Sequence, residues 1–327
     1  MQTIVEFNFN QTFDMIGVEL LQKLLLFFHY NDVIMQQADT TKNGRYKIFP
    51  ISEVIPQSNI IVFSPHFDDF LFMLGGYAIE LKRSGLLNTK NIHINIIFSK
   101  SNYLAGTGAG NFDKSLERIK LATGKRLLED QECIDELVGN FNYRYELAGE
   151  DECFTRGKKF ADSEMEFPHG MYDDFDETDK QIFSRMKERI LLWTECKDTA
   201  LVFPIAFKEH IDHFLVREAA VEVAKETGTK SNAVFYFQED KPYGGIATSI
   251  EKTRIDDFIN THNLEYRTYK YDSESVIELA FKHYVSQVEE VYKTGIRNRS
   301  KFLQEALNAD GPCDRIYVYN STCRCNY

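Results

Sequence analysis

Apolar positions along this chain alternate between two periods. From Asn59 the run NIIVFSP is continuously β-branched and aromatic, the pattern of a strand buried on both faces. The stretch FLFMLGGYAIELKRSG after it places apolar residues at helical spacing and closes on Gly85. The alternation continues with strand IHINIIFS, a helix from about Asp113 to Val138 stopped by Gly139, strand YRYEL and a helix around QIFSRMKERILLW. Strand TALVFPIAF, helix FLVREAAVEVAKETG, strand NAVFYFQ, a short helix near IDDFINTH, strand YRTYKY and one long helix SVIELAFKHYVSQVEEVY follow. Strands separated by helices of this length need right-handed crossovers. The pattern therefore predicts an α/β, Rossmann-like layered domain, a mostly parallel sheet with helices on both faces.

The flanks lack that alternation. Residues 1–55 read as an N-terminal helical appendage, with a helix from about Asp14 to Tyr30 and a polar loop QQADTTKNGRY. Residues 56–295 read as the α/β core domain and 296–327 as a C-terminal extension. The apolar stretch IGVELLQKLLLFFHY is broken by Glu19 and Lys23 and lacks a basic start and a small-residue cleavage site, so neither a signal peptide nor a membrane span is expected. Its 38 Lys and Arg against 50 Asp and Glu give a net charge of −12 with no basic stripe, which argues against a nucleic-acid partner. Cys133, Cys153, Cys196, Cys313, Cys323 and Cys325 form no small-scaffold framework, which fits reduced thiols and a cytoplasmic protein; Cys313 with the terminal CRC reads as a loosely held tail rather than a metal clip.

Two polar clusters interrupt this apolar pattern at equivalent places. SPHFDD sets His66, Asp68 and Asp69 at the carboxyl end of the first core strand, and KEHIDHF sets His210, Asp212 and His213 where TALVFPIAF runs into a helix. Ligands of such sheets sit at the carboxyl ends of the strands, and the N-terminal end of the following helix favours carboxylates. Two histidines and a carboxylate drawn from these candidates are what a catalytic zinc ion asks for, with a fourth position left for water. A carboxylate beside a metal-bound one is free as general base, and a spare histidine can serve as acid or oxyanion donor. The competing reading makes Asp69 and Asp212 helix caps beside ordinary hydrogen-bonded histidines.

Together these motifs resemble the LmbE-like or PIG-L-like zinc-dependent de-N-acetylases: SPHFDD matches P-H-x-D-D, HIDH matches H-x-D-H, QEDKPY matches an acidic pair before Pro-Tyr, and HYVSQ matches the tyrosine and Ser-Gln of many members, over roughly Asn59 to Tyr292. The resemblance implies one zinc ion held by His66, Asp69 and His213, with Asp68 as general base. It implies His210 as the group that stabilises the oxyanion or protonates the leaving amine, and Asp212 as the residue orienting a neighbouring histidine. It also implies an N-acetylated amino sugar or related small conjugate as substrate; an imidazole and carboxylate site accepts iron, cobalt or nickel as well as zinc. Phe67 and Phe70 depart from the family pattern and are expected to make the pocket floor more aromatic.

Weaker features complete the reading. Arg126 is either a substrate-facing arginine, as the resemblance implies, or a surface partner of Glu129; Tyr243 after Pro242 is assigned to the substrate pocket. AGTGAG lacks both the dinucleotide fingerprint and a Walker lysine, so it reads as a loop shaping substrate entry. The acidic stretch from Asp151 to about Lys180 has the length of a lid or binding loop, and its His169 reads as solvated. His29, His93, His262 and His283 read as structural or surface residues. The function expected is a zinc-dependent deacetylase, the alternatives being an amidase or esterase on a non-sugar substrate, a carbohydrate-binding protein without turnover, or a nucleotide-binding Rossmann protein.

Overall fold

The computed structural model describes residues 47–139, 143–159, 168, 170–172 and 175–319. The expected helix from Asp14 to Tyr30, His29, His169, Cys323 and Cys325 lie outside the described residues. All described residues but Lys47 belong to one unit, Ile48–Tyr327.

Seven strands form its sheet: β1 (Asn59–Ser64), β2 (Asn91–Ile96), β3 (Tyr143–Leu147), β4 (Thr199–Pro204), β5 (Val234–Gln238), β6 (Leu264–Lys270) and β7 (Cys313–Tyr319), in the order β3-β2-β1-β4-β5-β7-β6. β1 to β5 are parallel and β7 alone runs against its neighbours. The helices are α1 (Ile51–Val54), α2 (Gly76–Arg83), α3 (Leu116–Val138), α4 (Glu177–Thr194), α5 (Ile211–Thr227), α6 (Lys241–Ile246), α7 (Ser249–Thr261), α8 (Ser273–His283) and α9 (Glu290–Ala306). None among the described residues is long and apolar enough to cross a membrane.

Alternate residues of the central strands feed two cores, because successive side chains of a strand point to opposite faces. Ile60 and Val62 of β1 pack with Tyr77 and Leu81 of α2, Ile134 of α3 and Val276 of α8. Ile61 and Phe63 join Ile182 and Met186 of α4 and Leu215 and Ala219 of α5. At roughly 1.5–3 kcal/mol for each fully buried large apolar side chain, these faces fix which strands neighbour which. The α/β layered fold expected from the alternation is thus the fold observed.

Three elements differ from expectation. The last long helix is two: α8 stops at His283 because Tyr284 leaves helical geometry (φ −90°, ψ 49°). The following turn faces α3, where Tyr284 donates to Asp130 (2.6 Å) and the Ser286 amide and hydroxyl both donate to Glu129 (2.9 and 2.7 Å). The helix near IDDFINTH is longer than expected, since Thr248 and Glu251 close a capping box ahead of it. Residues 313–319 are a sheet strand, so Cys313 is buried rather than part of a loose tail; the described cysteines are free thiols.

Segment QEDKPY ties the late elements to the early ones. Glu239 accepts from Arg299 of α9 (2.6 Å) and Tyr317 of β7 (2.8 Å). Buried Lys241 donates to the carbonyls of Phe72 (3.0 Å) and Met73 (2.7 Å) in a π-helical turn, Leu71–Gly75, that leads into α2. Such a turn leaves carbonyls without their usual helical donors, and the ammonium supplies them.

Helices α6 and α9 meet through glycine: a Cβ on Gly295 would stand 2.0 Å from the Pro242 carbonyl oxygen, backbone that has no rotamer to yield. Gly295→Ala is expected to cost about 1–3 kcal/mol or more. Gly124→Ala in α3, where a Cβ meets nothing within 4 Å, is expected to stabilise by about 0.8–1 kcal/mol. Urea unfolding midpoints of the two variants check both signs.

Candidate functional site

Strand order reverses between β1 and β4. The chain leaves β1 outward through β2 and β3 and returns on the other side at β4, so a crevice opens at the carboxyl ends of that pair. His66, Asp68 and Asp69 follow β1 directly. His210 caps α5, and Asp212 and His213 lie in its first turn. The two sequence clusters converge there, each of the six side chains belonging to a residue no more than 9% exposed.

Three donor atoms form a nearly equilateral triangle. His66 Nδ1 and His213 Nε2 are 3.2 Å apart, and Asp69 Oδ2 lies 3.2 Å from each. Ligand atoms about 2.0–2.2 Å from a tetrahedral zinc ion stand about 3.3 Å apart, so the triangle has the size of one face of a zinc coordination shell. The opposite ring nitrogens are spoken for: His66 Nε2 faces Asp212 Oδ2 at 3.0 Å and His213 Nδ1 faces Asp240 Oδ1 at 2.9 Å. A carboxylate can only accept, so each neutral ring carries its proton on that side and turns its lone pair into the triangle. Asp69 is aimed by the His66 amide, which donates to Oδ2 at 2.7 Å.

His210 is built differently. Its Nδ1 accepts from the Asp212 amide at 3.1 Å, which leaves the neutral ring with its proton on Nε2. That nitrogen lies 3.7 Å from Cys153 Sγ. The three histidines could together face an ion; in this tautomer His210 Nε2 is a donor, while the triangle itself is formed by His66, Asp69 and His213.

The electrostatics follow from burial and neighbours. Burial pulls the His66 pKa down, but hydrogen bonds to Asp212 and Asp69 raise it to about 9. His213 is likewise lifted well above its ordinary value by Asp69 and Asp240 against burial. Burial raises Asp69, yet His213 and His66 hold it below the usual carboxylate range. Positive charge is favoured inside this triangle. His210 is pushed well below the ordinary value, chiefly by burial, and stays neutral. Asp68 is raised to about 6 by burial and then by the charge of Asp69, with Arg126 opposing.

Arg126 reaches the site from inside. It is 3% exposed and bonds Gln287 (2.6 Å), Ser101 (2.8 Å) and both oxygens of Glu152 (3.1 and 3.0 Å), and its NH2 lies 3.5 Å from Asp68 Oδ1. Glu129 is occupied by Ser286 and Gln287 instead. Tyr243 is half-buried, its ring 6.4 Å from that of His213 and its hydroxyl 3.1 Å from that of Tyr292. Phe67 and Phe70 are core residues, Phe67 with its ring 5.7 Å beneath the Arg126 guanidinium. Around Gly106 to Gly110 the loop is closed by Asn111, which accepts from the Leu104 amide (2.9 Å), Thr107 (2.7 Å) and Arg118 (3.0 Å).

Sequence reasoning passed over Glu152, Cys153, Arg156 and Asp179, and gave Asp240 no role. The first three sit in GEDECFTRG, directly after the carboxyl end of β3. That position on the active edge of the sheet was the available signal.

No family model and no curated protein sequence matches this chain. Solved structures do. The deacetylase Dbv21, which acts on the A40926 pseudoaglycone, is 16% identical over 80% of this chain and 97% of its own, with a TM-score of 0.51. The zinc-inhibited form of teicoplanin deacetylase Orf2 is 17% identical over 80% and 97%, with a TM-score of 0.50. What the likeness shows is architecture: this chain has the LmbE-type α/β fold of these deacetylases.

Proposed function

We propose that the protein is a metal-dependent hydrolase, with zinc as the fitting ion, that removes an acetyl group from the nitrogen of an amino sugar or related small conjugate. One observation carries the reading: a triangle of donors, each histidine backed by its own carboxylate, stands beside a second, unliganded carboxylate and a neutral histidine donor. The motif resemblance and the deacetylase fold support the reaction class. The amino-sugar substrate rests on the resemblance, and the half-buried Tyr243, its ring 6.4 Å from that of His213, suits the apolar face of a sugar ring.

His66, Asp69 and His213 would hold the ion, which when bound supplies Lewis acidity that polarises an amide carbonyl and lowers the pKa of water from about 15.7 towards about 7. Asp68 is the base. Held 3.5 Å from the Arg126 guanidinium, its carboxylate takes one proton from water as the oxygen adds to the amide carbon, and returns that proton to the nitrogen as the C–N bond breaks, leaving a free amine and a carboxylic acid that gives up its remaining proton to solvent. His210, with its proton on Nε2, donates to the oxyanion that develops between those steps. Asp212 accepts from His66 and from the Cys153 amide (3.0 Å each), which orients the ligand ring rather than moving a proton. Burial of the cluster excludes bulk water and strengthens each of these interactions.

Asp68→Asn is expected to retain about one metal ion per chain by elemental analysis and to lose about 10²–10⁴-fold in amine release from N-acetylated amino sugars; full turnover by this variant would overturn the assignment. His213→Ala should lose metal and turnover together. Asp240→Asn should keep the fold and weaken metal binding about 10–100-fold in chelator competition.

A further inference from the structure

The turn Glu152–Arg156 braces both halves of the site. Glu152 grips Arg126 on the Asp68 side, while the Cys153 amide and the Arg156 guanidinium bind opposite oxygens of Asp212. The Arg156 side chain is buried, 1% exposed. Its NH2 donates to Asp212 Oδ1 at 2.7 Å, its Nε to Asp179 Oδ1 at 3.0 Å and its NH1 to the Asp151 carbonyl at 2.6 Å. The guanidinium also lies 5.0 Å over the Phe98 ring, whose centroid is 6.0 Å from that of His66. Three directional bonds and an aromatic face leave it no alternative pose.

Asp212 consequently has both oxygens constrained. With Oδ1 fixed by Arg156, the carboxylate plane is set and Oδ2 is aimed at His66 Nε2. Without that clamp the carboxylate can rotate about its terminal torsion, which is broad for aspartate, and His66 loses the partner that fixes its ring. Asp179, the third member, closes the capping box of α4 with Asp176, so the clamp is anchored on a helix rather than on another loop.

We propose that Arg156 is a positioning residue for the metal centre, acting through Asp212 on His66, with α4 as its anchor. The inference rests on the metal-dependent reading above and adds a residue that no motif contains.

The test is zinc affinity, measured by chelator competition on the full chain without substrate, for wild type, Arg156→Met, Arg156→Lys and Asp179→Asn, with urea midpoints taken alongside. Arg156→Met should bind zinc about 10–100-fold more weakly, as for loss of other partners of a ligating histidine. Arg156→Lys should recover part of the loss, because an ammonium can still meet Asp212 but not both acids in one plane. Asp179→Asn, which loosens the anchor, should lower the urea midpoint and weaken zinc affinity by less than Arg156→Met does. Should Arg156→Met fail to fold, Arg156→Lys decides alone: weakened affinity supports the proposal and unchanged affinity overturns it. Arginine variants that bind zinc like wild type, however unstable, would reduce Arg156 to a packing role. A wild type that binds no zinc would instead overturn the hydrolase reading, and this proposal with it.

Discussion

Unlike charges must be brought together, out of water, between β1 and β4, where the strand order of the sheet reverses. Asp68, Asp69 and Asp212 are each under a tenth exposed, and an isolated buried carboxylate costs several kcal/mol unless it is paired and hydrogen-bonded. The rest of the site can be understood as the answer to that cost. His66 and His213 face Asp69 from two sides, Arg126 faces Asp68, and Arg156 faces Asp212. Each pairing also fixes an angle. The electrostatic solution thereby aims three lone pairs at one point and a donor nitrogen past it.

The groups behind these pairs come from elements outside the two His and Asp clusters. Glu152 and Arg156 arrive from the turn after β3, and Gln287 from the break between α8 and α9. Asp240 arrives from the end of β5, with Glu239 and Lys241 beside it holding β7, α9 and the π-helical turn before α2. Sequence segments as distant as Glu152 and Gln287 thus meet on a single guanidinium. The interruption of the last long helix follows from this, because Ser286 and Gln287 can bond Glu129 and Arg126 only where the backbone stops being helical.

Much of this was legible in the residues alone. The β1 and β4 runs are continuous and apolar because both faces of those strands are covered, and their ends are marked by the abrupt arrival of His66 and His210. β7 was not legible: CDRIYVY lies after the repeating pattern ends, and its antiparallel partners β5 and β6 are far off in the sequence. Nor was Arg126 legible as a buried residue. Its helix neighbour Glu129 invites an ion pair across one turn, and the larger gain of pairing with Glu152 and Gln287 outweighs it.

By itself the sequence determined the layered fold, the strands that bear the site and the inventory of imidazole and carboxylate groups, because each of these is written in patterns a few residues long. Tertiary structure decided the partners. His66 meets Asp212 across 146 positions and Arg126 meets Gln287 across 161, and no local pattern specifies such pairs. Which acid faces a ring nitrogen, which faces a guanidinium and which nitrogen of each ring turns inward depend on hydrogen bonds about 3 Å long. Those bonds exist only once the sheet has set β1 beside β4.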